Sequence, residues 1–533
     1  MSDLLAGAGV VVAAASAAAA ILLPAGRARS ATMLTALVLS PVLIAGDQWH
    51  SPEITDLRDD PTRLIALGLA AIAVVTALAL AFRRWPIALP LAIVATLPFR
   101  IPLEAGGDTA NLLVPLYLVI GGGVLANALR EWRGVSQRSS TGGVGEGSSP
   151  AAREDDETSP ATGPVGRSPL TWLPRILAAV VVLYALQTLY SPDFSKSLQS
   201  VCFFFVPFSL VYVLLRDVKW DRRLLTLALV VVAVEAVAFV VVGSIEYVTR
   251  SLFWNDQVIR SNEFHTYFRV NSVFWDPNIY GRYLALAIVI AMAALLWARE
   301  RRTLAILSAL VVVLWIGLVP TFSQSSFAAL LAGLAVLAAL RWSLRWTLTL
   351  GAGAVIAALF LALASGSIDF SKFNADTSGR ANLASGGVDL FAQRPLWGYG
   401  AGSFPTAYRE HVATKKAPVS VSHTEPVTVA AEQGLIGLVA YTALLVTALL
   451  TMASKLRSPP TGPVAEDVSS SSRAAGDDPS STPPVGRAAV LAAFVALLVH
   501  TMAYAGFYED PITWTLLAVG ASLAAMPTVR DGT

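Results

Sequence analysis

The sequence predicts an all-α polytopic integral membrane protein, a bundle of about 12–15 transmembrane helices with a large external loop. Three observations predict it. Of the 533 residues, 55% are hydrophobic and only 14% charged, with a mean hydropathy of +0.62, unlike a soluble domain. Apolar runs of about 20 residues recur along the chain, each long enough to cross the hydrocarbon core. Lys and Arg collect in alternate connections, as the positive-inside rule requires. In lipid such runs must be helices, because each backbone polar group has to find its partner within the segment.

In chain order, residues 1–133 hold the N-terminal spans. The opening MSDLLAGAGVVVAAASAAAAILL lacks the basic n-region of a signal peptide and reads as a retained first span, Leu4–Leu23. Leu64–Phe82 follows, and then a short segment around Trp85–Phe99. Residues 134–169 and 458–487 are rich in Ser, Gly, Pro and acidic residues; such segments cannot bury a core and read as disordered tethers. Residues 170–243 carry further spans, including Leu224–Gly243. Residues 244–457 form a core with two external segments, 244–276 and 365–424, and spans at Ile279–Ala298 and around Leu330–Leu340. Residues 488–533 supply the C-terminal helices, with a short one at Ile512–Met526.

The basic connections carry Arg27 and Arg29; Arg83 and Arg84; Arg130 and Arg133; Arg216, Lys219, Arg222 and Arg223; Arg299, Arg301 and Arg302; Arg341 and Arg345; Lys455 and Arg457. The positive-inside rule makes these cytoplasmic, with the N-terminus outside, the C-terminus inside and both tethers cytoplasmic. The long 365–424 segment carries Lys and Arg on the outer side, which long loops are allowed to do. Its arginines are therefore available to an anion there.

A single cysteine, Cys202 in VCFFFVPF, excludes a disulfide framework and a cysteine metal cluster. The net charge of +2 does not point to nucleic acid, and none is expected as a partner. In DTSGRANLASGGVDLFAQRPLWGYGAGSF, Ser378 suits a helix cap with Arg380 in the first turn. Leu383, Leu390 and Phe391 suit an apolar face in the membrane interface, and the glycines of GYGAGSF suit a tight turn or close approach to a phosphate. Taken alone, Arg380 reads as a snorkelling interfacial arginine. Arg269 precedes the DPN turn, whose Asp276 and Asn278 suit capping of the next span, with Arg282 one turn into it. His423 stands at the start of the run SHTEPVTVAAEQGLIGL; Glu425 at i+2 makes no credible zinc site with it. Glu432 lies too deep to orient His423 directly and suits pairing with an arginine or polar backbone.

Glu235, near the middle of a span, is the competitor, since an ionisable group there is a functional candidate by default. With His500 it suits a proton relay in a secondary transporter or a flippase for lipid-linked glycans; alternatively it only hydrogen-bonds a neighbouring span.

Four ordered stretches resemble the O-antigen ligase and O-antigen polymerase-like family of polytopic glycan transferases. They are RVNSVFWDPNIYG, PTFSQSSFAALLAGLAVL, GRANLASGGVDLFAQRPLWGYGAGSF and SHTEPVTVAAEQGLIGL, lying between about residues 265 and 440. The resemblance implies a GT-C-like fold and metal-independent, inverting transfer of a glycan from a polyprenyl-diphosphate-linked donor to an acceptor hydroxyl. The acceptor is a glycan, a lipid or a cell-wall molecule, so ligase and polymerase both remain open. The place implied is the outer face of a bacterial cytoplasmic membrane. Arg269 and Arg380 match arginines that contact the donor pyrophosphate, and His423 matches a histidine acting on the acceptor hydroxyl. Thr424 stands where the family usually has Asn. Gln324 stands where Arg often follows the serine, leaving Arg394 or Arg282 as substitutes for that phosphate contact. Chemistry agrees: guanidinium groups bind phosphate oxygens bidentately, and an imidazole accepts a proton near neutral pH. No cofactor and no metal is expected, and neither external segment contains an Asp-x-Asp pair.

Overall fold

The computed structural model describes residues 3–105, 108–140, 169–253, 255–264, 267–342, 370–412, 422–454, 456 and 484–526. Among them the chain is helical apart from one hairpin. The first part runs through α1 (Asp3–Leu22), α2 (Arg27–Asp47), α3 (Pro52–Asp59), α4 (Pro61–Arg84) and α5 (Ala88–Thr96). The antiparallel strands β1 (Ile101–Ala105) and β2 (Asp108–Leu112) then lead into α6 (Val114–Ser140). Next come α7 (Pro169–Thr188), α8 (Phe194–Ser200), a π turn at Val201–Phe205, α9 (Val206–Arg216) and α10 (Arg222–Thr249). The core continues through α11 (Asp256–Phe264), α12 (Pro277–Trp297), α13 (Arg301–Leu318), a 3-10 turn at Val319–Thr321 and α14 (Gln324–Arg341). It ends with α15 (Phe370–Gln393), α16 (Phe404–His411), α17 (Glu425–Ala453), α18 (Pro484–Thr501) and α19 (Pro511–Ala525).

Ten of the described helical segments are long and apolar enough to span a membrane, and α18 and α19 are shorter apolar helices. This is a multi-pass membrane protein. The spans expected at Leu4–Leu23, Leu64–Phe82, Leu224–Gly243, Ile279–Ala298 and Leu330–Leu340 fall within α1, α4, α10, α12 and α14. The weak segment around Trp85–Phe99 yields only the short α5. The tethers expected at 134–169 and 458–487 fall mainly outside the described residues, with α6 and α18 taking in their outer ends.

Apolar side chains divide between two solvents. Leu64, Ile65, Leu67, Leu69 and Ile72 on α4, and Val230, Val234, Val241 and Ile245 on α10, point away from the protein. Those faces are suited to lipid acyl chains. By contrast α12 is buried along most of its length and packs against α10, α13, α14 and α18. It is the axis of the site-bearing half. Its start is fixed by Asp276, whose Oδ1 accepts the Asn278 amide at 2.6 Å with Pro277 at the first helical position. Ser323 caps α14 in the same way.

Candidate active site

The polar segments expected on the outside meet at one end of the bundle, and buried glutamates organise them. Glu246, at the end of α10, accepts the backbone amides of Asn271 (3.2 Å), Ser272 (2.7 Å) and Phe253 (3.4 Å). Glu425, in the first turn of α17, accepts those of Gly506 (2.7 Å) and Phe507 (3.1 Å) in the α18–α19 connection. Glu432 accepts those of Gly402 (2.9 Å) and Phe404 (3.0 Å) in the GYGAGSF loop. A buried carboxylate satisfied by amides fixes the loop that supplies them. Of the three, Glu432 is the one the sequence singled out, and backbone is indeed its partner.

The glycines of RPLWGYGAGSF mate with α17. That helix breaks at Gly434 (φ 65°, ψ −162°), a conformation essentially confined to glycine. Backbone meets backbone there: the Leu435 amide donates to Pro395 O (2.7 Å), Tyr399 to Ala431 O (3.1 Å) and Gly400 to Glu432 O (2.8 Å). A Cβ on Gly398 would stand 2.3 Å from Glu432 O, and one on Gly434 2.4 Å from Leu396 O. The close approach read from these glycines is thus to polypeptide: Gly398 meets α17, Gly400 meets Ser191 and Gly402 meets Ser197 of α8. Two further sequence readings are revised. α15 begins at Phe370, so Ser378 lies inside it and not at its cap. Leu390 is fully buried with Tyr399, Phe404, Ala407, Tyr408 and Ala431, with Leu383 packed alongside, so this face covers α16 and α17 instead of lipid.

Arg269 is half-buried and bridges two motifs. Its Nε donates to Thr321 O at 2.9 Å and its Nη2 to Asn278 Oδ1 at 3.2 Å, while its own amide donates to Asn262 Oδ1 at 3.0 Å. Tyr267 and Phe322 stack beside it, ring centroids 4.6 Å apart. Arg282 is buried and pairs with buried Asp510, Nη2 to Oδ2, at 2.9 Å. Sequence reasoning missed Asp510 and Glu246. Asp510 had one local signal, the DP dipeptide of an N-cap: its Oδ1 accepts the Ile512 amide at 2.9 Å. Glu246 had none beyond its place at a span end. Arg394 lies over the Tyr399 ring, 4.4 Å from its centroid, at the exposed end of α15. Arg380 falls on α15, but its side chain lies outside the described residues.

His423 precedes Thr424, the N-cap of α17, is half-buried, and has a left-handed backbone (φ 62°). The other non-glycine residues with positive φ among those described are Arg250, Asn255, Ser272 and Phe322, and they too lie in connections between helices. Each costs about 1–3 kcal/mol and persists only where surrounding contacts enforce it, as active sites do. A chain of contacts links the His423 end to Arg269: Glu425 holds Gly506 and Phe507, Asp510 in the same connection holds Arg282, and the first turn of α12 presents Asn278 to Arg269. In that connection burial pushes the hydroxyls of Tyr504 and Tyr508 above the usual phenol range, so both stay neutral donors.

Of the competing residues, His500 lies close to Arg282 and Asn278 of the candidate site, and Glu235 lies on a neighbouring span. Glu235 accepts the Tyr283 hydroxyl at 2.8 Å across the α10–α12 contact, the hydrogen bond between spans that its mid-helix position allows. His500 is fully buried on α18, with Nε2 3.2 Å from Ser325 Oγ. No hydrogen bond or ion pair joins Glu235 to His500 among the described residues.

A helical bundle with ten segments long and apolar enough to cross a membrane defines the class, a multi-pass membrane protein. Within it, residues 309–442 match the family model of the O-Antigen ligase. The match runs from α13 into α17 and makes that part of the chain similar to the O-Antigen ligase family. No curated protein matches the chain.

Proposed function

We propose that the protein transfers a glycan from a polyprenyl-diphosphate donor to an acceptor hydroxyl at the outer face of a bacterial cytoplasmic membrane. The observation that carries this reading is the bridge from Arg269 to Thr321 O. It ties the 244–276 segment to the start of α14, inside the O-antigen ligase match, and sets a guanidinium beside it. The acceptor oxygen attacks the anomeric carbon as its proton passes to the imidazole of His423. The bond from that carbon to the diphosphate breaks, with inversion, and the electron pair leaves with the lipid diphosphate. Arg269 and Arg380 balance the charge that gathers on its oxygens. Glu432, Glu425 and Glu246 are positioning residues that hold the loops carrying these groups. The Glu235–Tyr283 bond favours a structural role for Glu235 over a proton relay.

The test is transfer in proteoliposomes with a polyprenyl-diphosphate oligosaccharide, comparing wild type with His423→Ala, Arg269→Ala, Arg380→Ala and Glu235→Gln. Expected is loss of transfer in the first three variants, all folded, with Glu235→Gln active. Lipid movement without transfer, abolished by Glu235→Gln, overturns the proposal in favour of a transporter.

A further inference from the structure

At the opposite end of the bundle from the candidate active site is a cavity of about 690 Å³, open on one side, among α2, α5, α6, α9 and the start of α10. Its lining mixes apolar side chains, Met33, Phe82 and Leu214 among them, with the basic Arg29, Arg130, Arg216 and Lys219. Acidic residues are present too, but two of the three are committed. Asp217 is shared by two guanidiniums: Arg29 Nη1 reaches its Oδ2 at 2.5 Å and Arg216 Nε its Oδ1 at 3.4 Å. Asp221 caps α10, accepting the Leu224 amide at 2.8 Å. Glu131 adjoins Arg130 in sequence and is the remaining carboxylate. Positive charge is therefore in excess. Arg29 is 5% exposed, and its Nε has no hydrogen-bond partner although it is fully buried. Arg130 and Lys219 form no ion pair among the described residues. A buried guanidinium N–H without an acceptor is costly unless a ligand supplies one.

We propose that this cavity is a binding site for a phosphate-bearing lipid of the leaflet at the basic end, which the arginine distribution assigns to the cytoplasm. The phosphodiester takes the place between Arg29, Arg130 and Lys219, and its acyl chains lie along Met33, Phe82 and Leu214. The basic side chains select the anion and the apolar ones select the amphiphile. The site is separate from the glycan-transfer proposal and does not depend on it.

The experiment uses the full chain, purified in a zwitterionic detergent, with short-chain phosphatidylglycerol, short-chain phosphatidylcholine and inorganic phosphate as probes. Binding is read by the shift in Tm with probe concentration. Expected is stabilisation by phosphatidylglycerol, weaker stabilisation by phosphatidylcholine, and none by inorganic phosphate at equal concentration. In Arg130→Ala/Lys219→Ala, whose changed side chains are exposed, the apparent Kd for phosphatidylglycerol rises about tenfold or more, as loss of charge-assisted hydrogen bonds requires. Because Arg29→Gln breaks the ion pair of a buried arginine with Asp217, a photoactivatable phosphatidylglycerol supplies a second readout on wild type, with crosslinks expected on α2, α6 or α9. Equal stabilisation by phosphatidylglycerol and phosphatidylcholine, a full effect from inorganic phosphate alone, an unchanged Kd in the double variant, or crosslinks confined to other helices each overturns the proposal.

Discussion

Replacing Gly434 by alanine attacks the joint between the RPLWGYGAGSF loop and α17 at its tightest point. The new Cβ would lie 2.4 Å from Leu396 O, 2.5 Å from Leu396 C and 2.7 Å from the Gly398 amide nitrogen. These are backbone atoms, so no side chain can swing away. The φ of 65° with ψ of −162° adds about 1–3 kcal/mol of backbone strain for an L-residue. Relieving the contact adds about 1–3 kcal/mol more, by analogy with overpacked cores. The sum centres near 4 kcal/mol, and the protein can escape it by letting the loop lift away, which breaks the hydrogen bonds donated by the Leu435, Tyr399 and Gly400 amides. At about 1.4 kcal/mol per decade, opening of the loop becomes roughly a thousandfold more frequent. Hydrogen exchange by mass spectrometry on peptides covering 396–404 reads this directly, and glycan transfer should fall with it. Gly68→Ala is the control: on α4 its Cβ meets nothing within 4 Å, so a neutral or slightly stabilising change is expected. An exchange rate in 396–404 within threefold of wild type refutes the reasoning. So does an equal rise throughout α12, which would mean general loosening.

Glu432→Gln keeps the shape but sets an amide NH2 against a donor at Gly402 or Phe404, so transfer should drop about 10- to 100-fold, matching about 1–3 kcal/mol, in protein that still elutes as a monodisperse peak. Transfer within twofold of wild type would remove Glu432 from the site. Arg269→Lys replaces a planar fork bridging Thr321 O and Asn278 with a point charge, and a loss of about tenfold or more in transfer is expected; full activity would show that charge alone suffices. Asp510→Asn leaves Arg282 buried without a counter-charge, at a cost of about 3–5 kcal/mol. Pairing it with Arg282→Met should recover much of the lost Tm, and a double variant less stable than the single one would contradict a simple ion pair.

The spans were legible because hydropathy and length act locally: the expected Leu64–Phe82 and Ile279–Ala298 need no knowledge of the rest of the chain to become α4 and α12. Caps were legible for the same reason, as Asp276 before Pro277 shows. The candidate site was only half legible. Arg269 and His423 carry motifs that can be read in sequence, and the structure sets them in connections between helices joined by a chain of contacts. What joins them is long-range: Arg282 finds Asp510, and Glu246 finds amides 25 and 26 positions away, at Asn271 and Ser272. Nothing near Glu246 announces that partner. The glycines of GYGAGSF illustrate a second limit. A close approach was foreseeable from glycine, but whether it is to phosphate or to another stretch of backbone depends on what packs there. Leu390 failed similarly, because an apolar stripe does not say whether lipid or protein will cover it.

The joint at Gly434 also constrains how the molecule is made. The loop at 395–404 leaves the ribosome before α17 and must wait, its amides unpaired, until α17 has entered the bilayer. Glu425 then needs Gly506 and Phe507, and Arg282 needs Asp510, all supplied by the connection between the last two described helices. The site therefore closes only once the connection after α18 has been made. A chain stalled before that connection would keep the contacts of Glu246 and Glu432 and lack those of Glu425 and Arg282.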